Sequence, residues 1–281
     1  MKFVISRRAF LAGAAASAAL PAVAPAGLKI GVMDGVLRRS SLPEAVALAK
    51  SFGLEGLQVT LGRKPGGDGL LLEDPGLQAR FLAESEKHNL PLDATYLDIL
   101  HVDCLKNGPR ARQWVERGID ITRKLKAGIL MTVFFGKCSL VSRPEIDFVA
   151  DVFKELAPEA AKAGVILGFE NLLTAEDNAR AMDRVASDAF KIYYDVGNST
   201  NTVKVDAARE IRWLGRDRIC QLHFKDKGYL GEGNVNFPAV LQALADIGFR
   251  GYANLETNSP SGSMEQDLRR NVAYLRGLLK P

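Results

Sequence analysis

VILGFEN (165–171), KIYYDVGN (191–198) and ICQLHFKD (219–226) are three short β-rich apolar runs, each ending in polar residues. They are separated by longer segments, 175–187 and 206–215, with apolar residues at spacings of three and four. Such alternation is the pattern of parallel strands covered by helices. Working outward, five more runs of the first kind appear: LKIGVM (28–33), GLQVTLG (56–62), LDATYLDI (92–99), ILMTVFFG (129–136) and YANLET (252–257). Helical patterns fill 42–53, 75–89, 109–126, 144–163, 238–248 and 264–279, the fourth of these with Phe148, Val152, Leu156 and Ala160 as its apolar stripe. Gly53, Gly128, Gly164 and Gly248 stand where helices should stop, and Asn236 before Phe237 and Pro238 where one should start. Eight βα units without a long structureless insertion predict a single (β/α)8 barrel over residues 27–281. A dinucleotide-binding sheet is excluded because GVMDGVLRR lacks the G-x-G-x-x-G spacing after the first strand.

The first 26 residues read differently. Lys2, Arg7 and Arg8 precede the apolar run LAGAAASAAL, and Ala24 and Ala26 form an A-x-A arrangement. The stretch Ser6-Arg7-Arg8-Ala9-Phe10-Leu11 resembles a twin-arginine signal, so the expectation is a cleaved export signal over 1–26 and a periplasmic protein. The run is broken by Gly13 and Ser17 and ends at Pro21, too short for a bilayer span, so no stable membrane anchor is expected.

Losing three basic and no acidic residues takes the formal charge from +4 to +1. A nucleic-acid partner is therefore not expected, and a homo-oligomer is compatible with the composition. Hydrophobic residues at 47% and charged ones at 25% are ordinary for a globular protein and exclude disorder. Cys104, Cys138 and Cys220 are widely spaced, odd in number and without a C-x-x-C pair, and are expected to be buried thiols rather than a disulfide framework.

In such a barrel, chemistry sits at the C-terminal ends of the strands. Glu170, Asp195, His223 and Glu256 end or nearly end the fifth to eighth runs. Each alone reads as a solvated charge, a helix cap or a core histidine; together they form a hard oxygen and nitrogen set suited to one divalent ion, Mn²⁺, Mg²⁺, Co²⁺ or Zn²⁺. A buried charge there would be costly without such an ion. Lys225 and Asp226 are expected around His223 or on substrate hydroxyls, with a surface ion pair as the plainer alternative. His101 is a further candidate for the pocket, although an ordinary loop histidine explains it equally. His88, in a charged helix end, should face solvent. Tyr96, Phe134, Phe135 and Phe224 are candidates for an apolar wall, with core packing as the default. The turn Gly231-Glu232-Gly233 gives a weak signal for a lid or a phosphate site.

GFEN (168–171), YYDVGN (193–198), HFKD (223–226), LGEGNVNF (230–237), NLET (254–257) and the opening LPEAVALAKSFGLEGLQVTLG (42–62) resemble the xylose-isomerase-like sugar isomerase/epimerase superfamily. The resemblance covers essentially the whole chain after the signal. It implies that Glu170, Asp195, His223 and Glu256 bind a divalent metal and that Glu170 and Glu256 exchange protons with the reacting carbons. It further implies a small sugar or sugar derivative as substrate and an isomerase or epimerase that abstracts a proton beside a carbonyl and passes through an enediolate.

Two positions depart from the pattern. Asn198 stands where epimerases of the group usually carry His, and Gln58 lies near where many carry Glu. Asn198 can hydrogen-bond a hydroxyl but does not titrate near neutrality, which leaves the sugar unspecified. Two rivals share the fold: a lyase or hydrolase of oxidised glycosides, which the sequence leaves open, and a multi-zinc endonuclease, for which three histidines are too few. A carbohydrate-binding protein would not require both glutamates.

Overall fold

The computed structural model describes residues 25–66 and 68–280. The proposed signal therefore lies almost wholly outside the described residues. Eight parallel strands close into a barrel in sequence order: β1 (Leu28–Met33), β2 (Gly56–Thr60), β3 (Leu92–Tyr96), β4 (Ile129–Val133), β5 (Ile166–Glu170), β6 (Phe190–Asp195), β7 (Ile219–Phe224) and β8 (Gly251–Leu255). Pairing of β1 with β8, from Leu28 opposite Gly251 to Val32 opposite Leu255, shuts the ring. Eight principal helices cover it: α1 (Glu44–Ser51), α2 (Pro75–His88), α3 (Ala111–Lys124), α4 (Arg143–Ala163), α5 (Ala175–Val185), α6 (Ala207–Leu214), α7 (Phe237–Asp246) and α8 (Met264–Leu279). Among the described residues, no helix is long and apolar enough to cross a membrane.

Local chemistry explains the helix ends. Asp74 accepts from the Gly76 and Leu77 amides ahead of α2, whose first residue is Pro75. Thr174, Asp206 and Asn236 cap α5, α6 and α7 by accepting the amide three residues on. Gly164 ends α4 at φ 68°, which a side chain would resist. After α3 the left-handed position falls on Lys126 rather than on Gly128. The expected stripe of α4 holds at Leu156 and Ala160 and fails at its start: Phe148 is exposed and Val152 half-buried, and the buried face runs through Ile146, Val149, Phe153, Leu156 and Ala160. A stripe read every fourth residue drifts around a helix of 3.6 residues per turn, and only packing shows where it should begin.

The cysteine expectation is corrected. Cys104 and Cys138 form a disulfide, with Cα atoms 5.0 Å apart. They lie in the loops after β3 and β4, strands that pair side by side. Barrel closure brings together residues separated by 34 positions, which spacing alone does not reveal. Cys220 is a free, half-buried thiol.

Two of the candidate wall residues are also reassigned. Phe134 and Phe224 are fully buried in the core, Phe134 against Phe153 and Phe169, Phe224 against Phe237.

Candidate metal centre and cleft

Strand register sets the site. Asp195 of β6 lies opposite His223 of β7, and Phe224 opposite Leu255 puts Glu256 just beyond the end of β8. Glu170 is the last residue of β5. One ligand atom from each of Glu170, Asp195, His223 and Glu256 falls within 4.8 Å of the others. His223 Nδ1 is 2.9 Å from Glu170 Oε1 and 3.4 Å from Glu256 Oε2. Glu170, Asp195 and His223 are buried, whereas the Glu256 side chain is one-third exposed and faces the cleft.

Lys225 completes the cluster. Its ammonium lies 2.8 Å from Asp195 Oδ2 and 2.7 Å from Glu256 Oε2. Its stem crosses Gly197, where a Cβ would come within 2.4 Å of Lys225 Cγ. The glycine of YDVGN is thus needed for the lysine to reach the carboxylates.

The charges perturb one another strongly. Burial pushes the Asp195 carboxyl up to about 7 against the pull of Lys225. Burial also acts to raise Glu256, but His223 and Lys225 outweigh it and hold this group below the usual carboxylate range. Burial favours neutral His223, yet Glu170 and Glu256 push it up to about 10. For Lys225 the loss of water works against the charge, and Asp195 and Glu256 more than offset it.

The residues fit a divalent ion on two further counts. Asp195 Oδ2 is buried and, although ion-paired with Lys225, receives no aligned hydrogen bond, which leaves it able to accept a cation. With His223 neutral, three carboxylates carry three negative charges, which one ammonium and one divalent cation balance. The cluster can therefore hold a divalent metal.

Above it opens a cavity of about 530 Å³ lined by Tyr96, Asn198, Asn201, Lys225, Lys227 and Glu256 among others. It adjoins a second lobe of about 670 Å³ carrying Ser40, Thr60, Arg63 and Asp98, with Met33, Gly35 and Tyr96 shared by both.

The other candidates separate. Asn198 lines the cavity, and its backbone amide donates to Asp195 Oδ1 at 2.8 Å. Asp226 also borders the cavity, but its carboxylate accepts from the Lys227, Asn234 and Val235 amides and so anchors the loop after β7. His101 is exposed and stands behind Tyr96, with Nε2 2.5 Å from the Tyr96 hydroxyl and its ring stacked on half-buried Phe135. It bears on the cleft through Tyr96. His88 is half-buried rather than fully solvated, 3.1 Å from Glu84. In the glycine turn, Gly231 packs against Tyr274, Glu232 pairs with Arg270 and Gly233 abuts Asp226, so contacts to neighbouring segments occupy it.

Two buried groups were not singled out from sequence. Asp34, just past β1, accepts from the Ser41 and Thr60 amides and from the Thr60 hydroxyl, and burial pushes it up to about 6. Asp93, in β3, accepts from the Gln221 and Asn254 amide groups inside the barrel. A single aspartate near a strand carries no local signal distinguishing it from a loop charge.

Comparison with known proteins agrees with this architecture. Residues 46–278 match the family model described as xylose isomerase-like TIM barrel. A 2-epi-5-epi-valiolone 7-phosphate 2-epimerase from Actinoplanes sp. is 25% identical over 210 residues, 71% of this chain and 76% of the relative. Among solved structures, an L-ribulose 3-epimerase superposes with a TM-score of 0.73 at 19% identity, covering 90% of this chain and 94% of its own. A 3-keto-D-glucoside 4-epimerase from E. coli gives a TM-score of 0.73 at 17% identity, covering 89% and 99%. With most of its length matched by that model and its strands closed in the same barrel, the chain belongs to the xylose isomerase-like TIM barrel family.

Proposed function

We propose that this protein is a divalent-metal-dependent sugar isomerase or epimerase that moves a proton on carbon beside a carbonyl. The observation that carries this reading is the convergence of Glu170 and Glu256 on His223 Nδ1, the first buried and the second facing the cleft. One carboxylate takes the proton from the substrate carbon. The other returns a proton to the opposite face of that carbon, which inverts it, or to the neighbouring carbon, which isomerises the sugar. Neither route consumes a co-reactant. When bound, the ion supplies positive charge to the oxygen that becomes negative as the proton leaves. Glu170, Asp195, His223 and Glu256 would hold it. The Lys225 ammonium keeps its charge beside Glu256 and can donate to a substrate oxygen. Asn198 and Tyr96, on the cavity wall, are placed to orient hydroxyls, with His101 steadying Tyr96 and Asp226 the loop.

The similarity to epimerases acting on a sugar-like phosphate and on free or oxidised sugars supports the reaction class and leaves the sugar open. A second reading, elimination or hydrolysis of an oxidised glycoside, draws on the second lobe beyond Tyr96, which offers room for a leaving group. Metal analysis followed by solvent-deuterium incorporation across a panel of ketoses, aldoses and 3-keto-glycosides tests both. Deuterium at one carbon of recovered sugar supports isomerase chemistry, release of an aglycone supports the second reading, and the absence of both refutes proton abstraction.

We also propose export through the twin-arginine signal at Ser6–Leu11, with a periplasmic destination. The Cys104–Cys138 disulfide supports an oxidising compartment. Replacing Arg7 and Arg8 together by Lys should leave precursor inside the cell, and unimpaired export would refute the assignment.

A further inference from the structure

The interior of the barrel directly beneath the ligand cluster is polar. Gln58 of β2 points inward, fully buried, and its Oε1 lies 2.8 Å from His223 Nε2. The same oxygen accepts from the buried Tyr193 hydroxyl at 3.3 Å. Tyr193 Oη in turn accepts from Asn254 Nδ2 at 3.2 Å, and Asn254 donates to Asp93 Oδ1 at 2.7 Å, as does Gln221 at 2.6 Å. The Gln58 amide nitrogen faces Met131 Sδ, at 3.1 Å.

This chain has a fixed direction. Asn254 spends its amide protons on Tyr193 and Asp93, so the tyrosine hydroxyl uses its own proton toward Gln58. The Gln58 carbonyl has no proton to give, so its bond to His223 requires a proton on Nε2. The lone pair of the neutral imidazole is then on Nδ1, the nitrogen that faces Glu170 and Glu256. Turning the Gln58 amide over would set its N–H groups against the Tyr193 hydroxyl proton and leave that proton without its acceptor, so the tyrosine holds the carbonyl toward His223.

We infer that Gln58 is a positioning residue that fixes Nδ1 of His223 as the metal-binding nitrogen, with Tyr193 holding the Gln58 carbonyl in place. The departure noted in the sequence thereby gains a physical role. A glutamate would orient the imidazole equally well but add a fourth negative charge to a cluster that one divalent ion and Lys225 already balance. The amide gives the orientation without the charge.

Calorimetric titration of the full chain with Mn²⁺ tests this independently of any turnover. Gln58→Leu, similar in size but with no acceptor, should weaken Mn²⁺ binding by roughly 10- to 100-fold. Gln58→Glu, which restores an acceptor, should bind Mn²⁺ at least as tightly as the wild type. A purely packing role would lower thermal stability in both variants and leave the affinities alike. Nitrogen-15 spectra of the Zn²⁺-loaded wild type should show His223 protonated at Nε2. If Gln58→Leu does not fold, Tyr193→Phe, which removes only the hydroxyl, should still weaken Mn²⁺ binding several-fold. Wild-type affinity in Gln58→Leu, a loss in Gln58→Glu as large as in Gln58→Leu, or metal on Nε2 would each overturn the assignment; so would wild-type affinity in Tyr193→Phe.

Discussion

At the scale of single residues, the two glutamates differ in surroundings although they share a role in the proposed reaction. Glu170 is enclosed beside His223, whereas Glu256 faces the cleft and meets both His223 and Lys225. Glu170→Gln or Glu256→Gln keeps the approximate shape and one oxygen but removes the proton acceptor, so turnover should fall by ~10²-fold or more. Metal content should fall less, and one variant can retain solvent exchange at the substrate carbon without completing inversion. Near-normal turnover in both variants would refute the two-glutamate mechanism. Asp93 supplies a different test. Burial pushes its carboxyl up to about 7, from 3.8 for an exposed group. The folded protein thus binds a proton here that the unfolded chain has released. The associated stability is fully present below pH 3.8 and is lost as pH rises through 7, a change on the order of 4 kcal/mol at most. Asp93→Asn keeps the oxygen that accepts from Gln221 and Asn254 and carries no titrating proton. In urea unfolding the variant should lose less stability than the wild type between pH 5 and pH 8. Equal losses would show that Asp93 does not titrate in this window.

At the scale of elements, the loops after the strands divide the work. The loop after β7 is gathered by Asp226 onto its own amides and reaches Asn201 of the loop after β6, holding Lys227 at the rim. The loops after β3 and β4 are tied by the disulfide, and between them the His101 ring stacks on Phe135 and meets Tyr96. Cys138 Sγ also lies 3.4 Å from the His101 carbonyl oxygen, so the crosslink and the aromatic wall are one assembly. In the chain-entropy model, a crosslink spanning 34 residues contributes about 3–4 kcal/mol. Replacing both Cys104 and Cys138 by Ser should lower unfolding stability by about that much and raise KM more than it lowers kcat, because Tyr96 of this wall lines the cavity and the wall supplies none of the four candidate ligands. Metal content should stay unchanged. Denaturant titration with and without reductant, alongside metal analysis, checks this; stability insensitive to reductant would show that the bridge does not form in the purified protein.

At the scale of the whole molecule, a metal held by the four residues would join β5, β6, β7 and the end of β8, so its binding would be coupled to barrel stability. At a free ion concentration 100 times Kd, binding stabilises by about 2.7 kcal/mol, a rise in Tm of roughly 5 °C for a chain of this size. A chelator should remove that increment, and Asp195→Ala or His223→Ala should abolish it while the barrel stays folded. A Tm indifferent to Mn²⁺ in the wild type would refute the four-residue site. The sequence by itself determined the eight βα units and placed Glu170, Asp195, His223 and Glu256 at or near the ends of four successive strands, because these follow from local periodicity and from where each apolar run stops; β8 itself stops at Leu255, one residue short of Glu256. It did not determine the helix-face phase of Phe148, the pairing of Cys104 with Cys138, the lysine bridge from Asp195 to Glu256, or the carbonyl of Gln58 beneath His223. Those depend on which residues from distant strands meet: Gln58 and His223 are 165 positions apart in the chain and 2.8 Å apart in the barrel. Closure of the sheet fixes a register across its interior, and that register, a property of all eight strands together, is written in no single stretch of sequence.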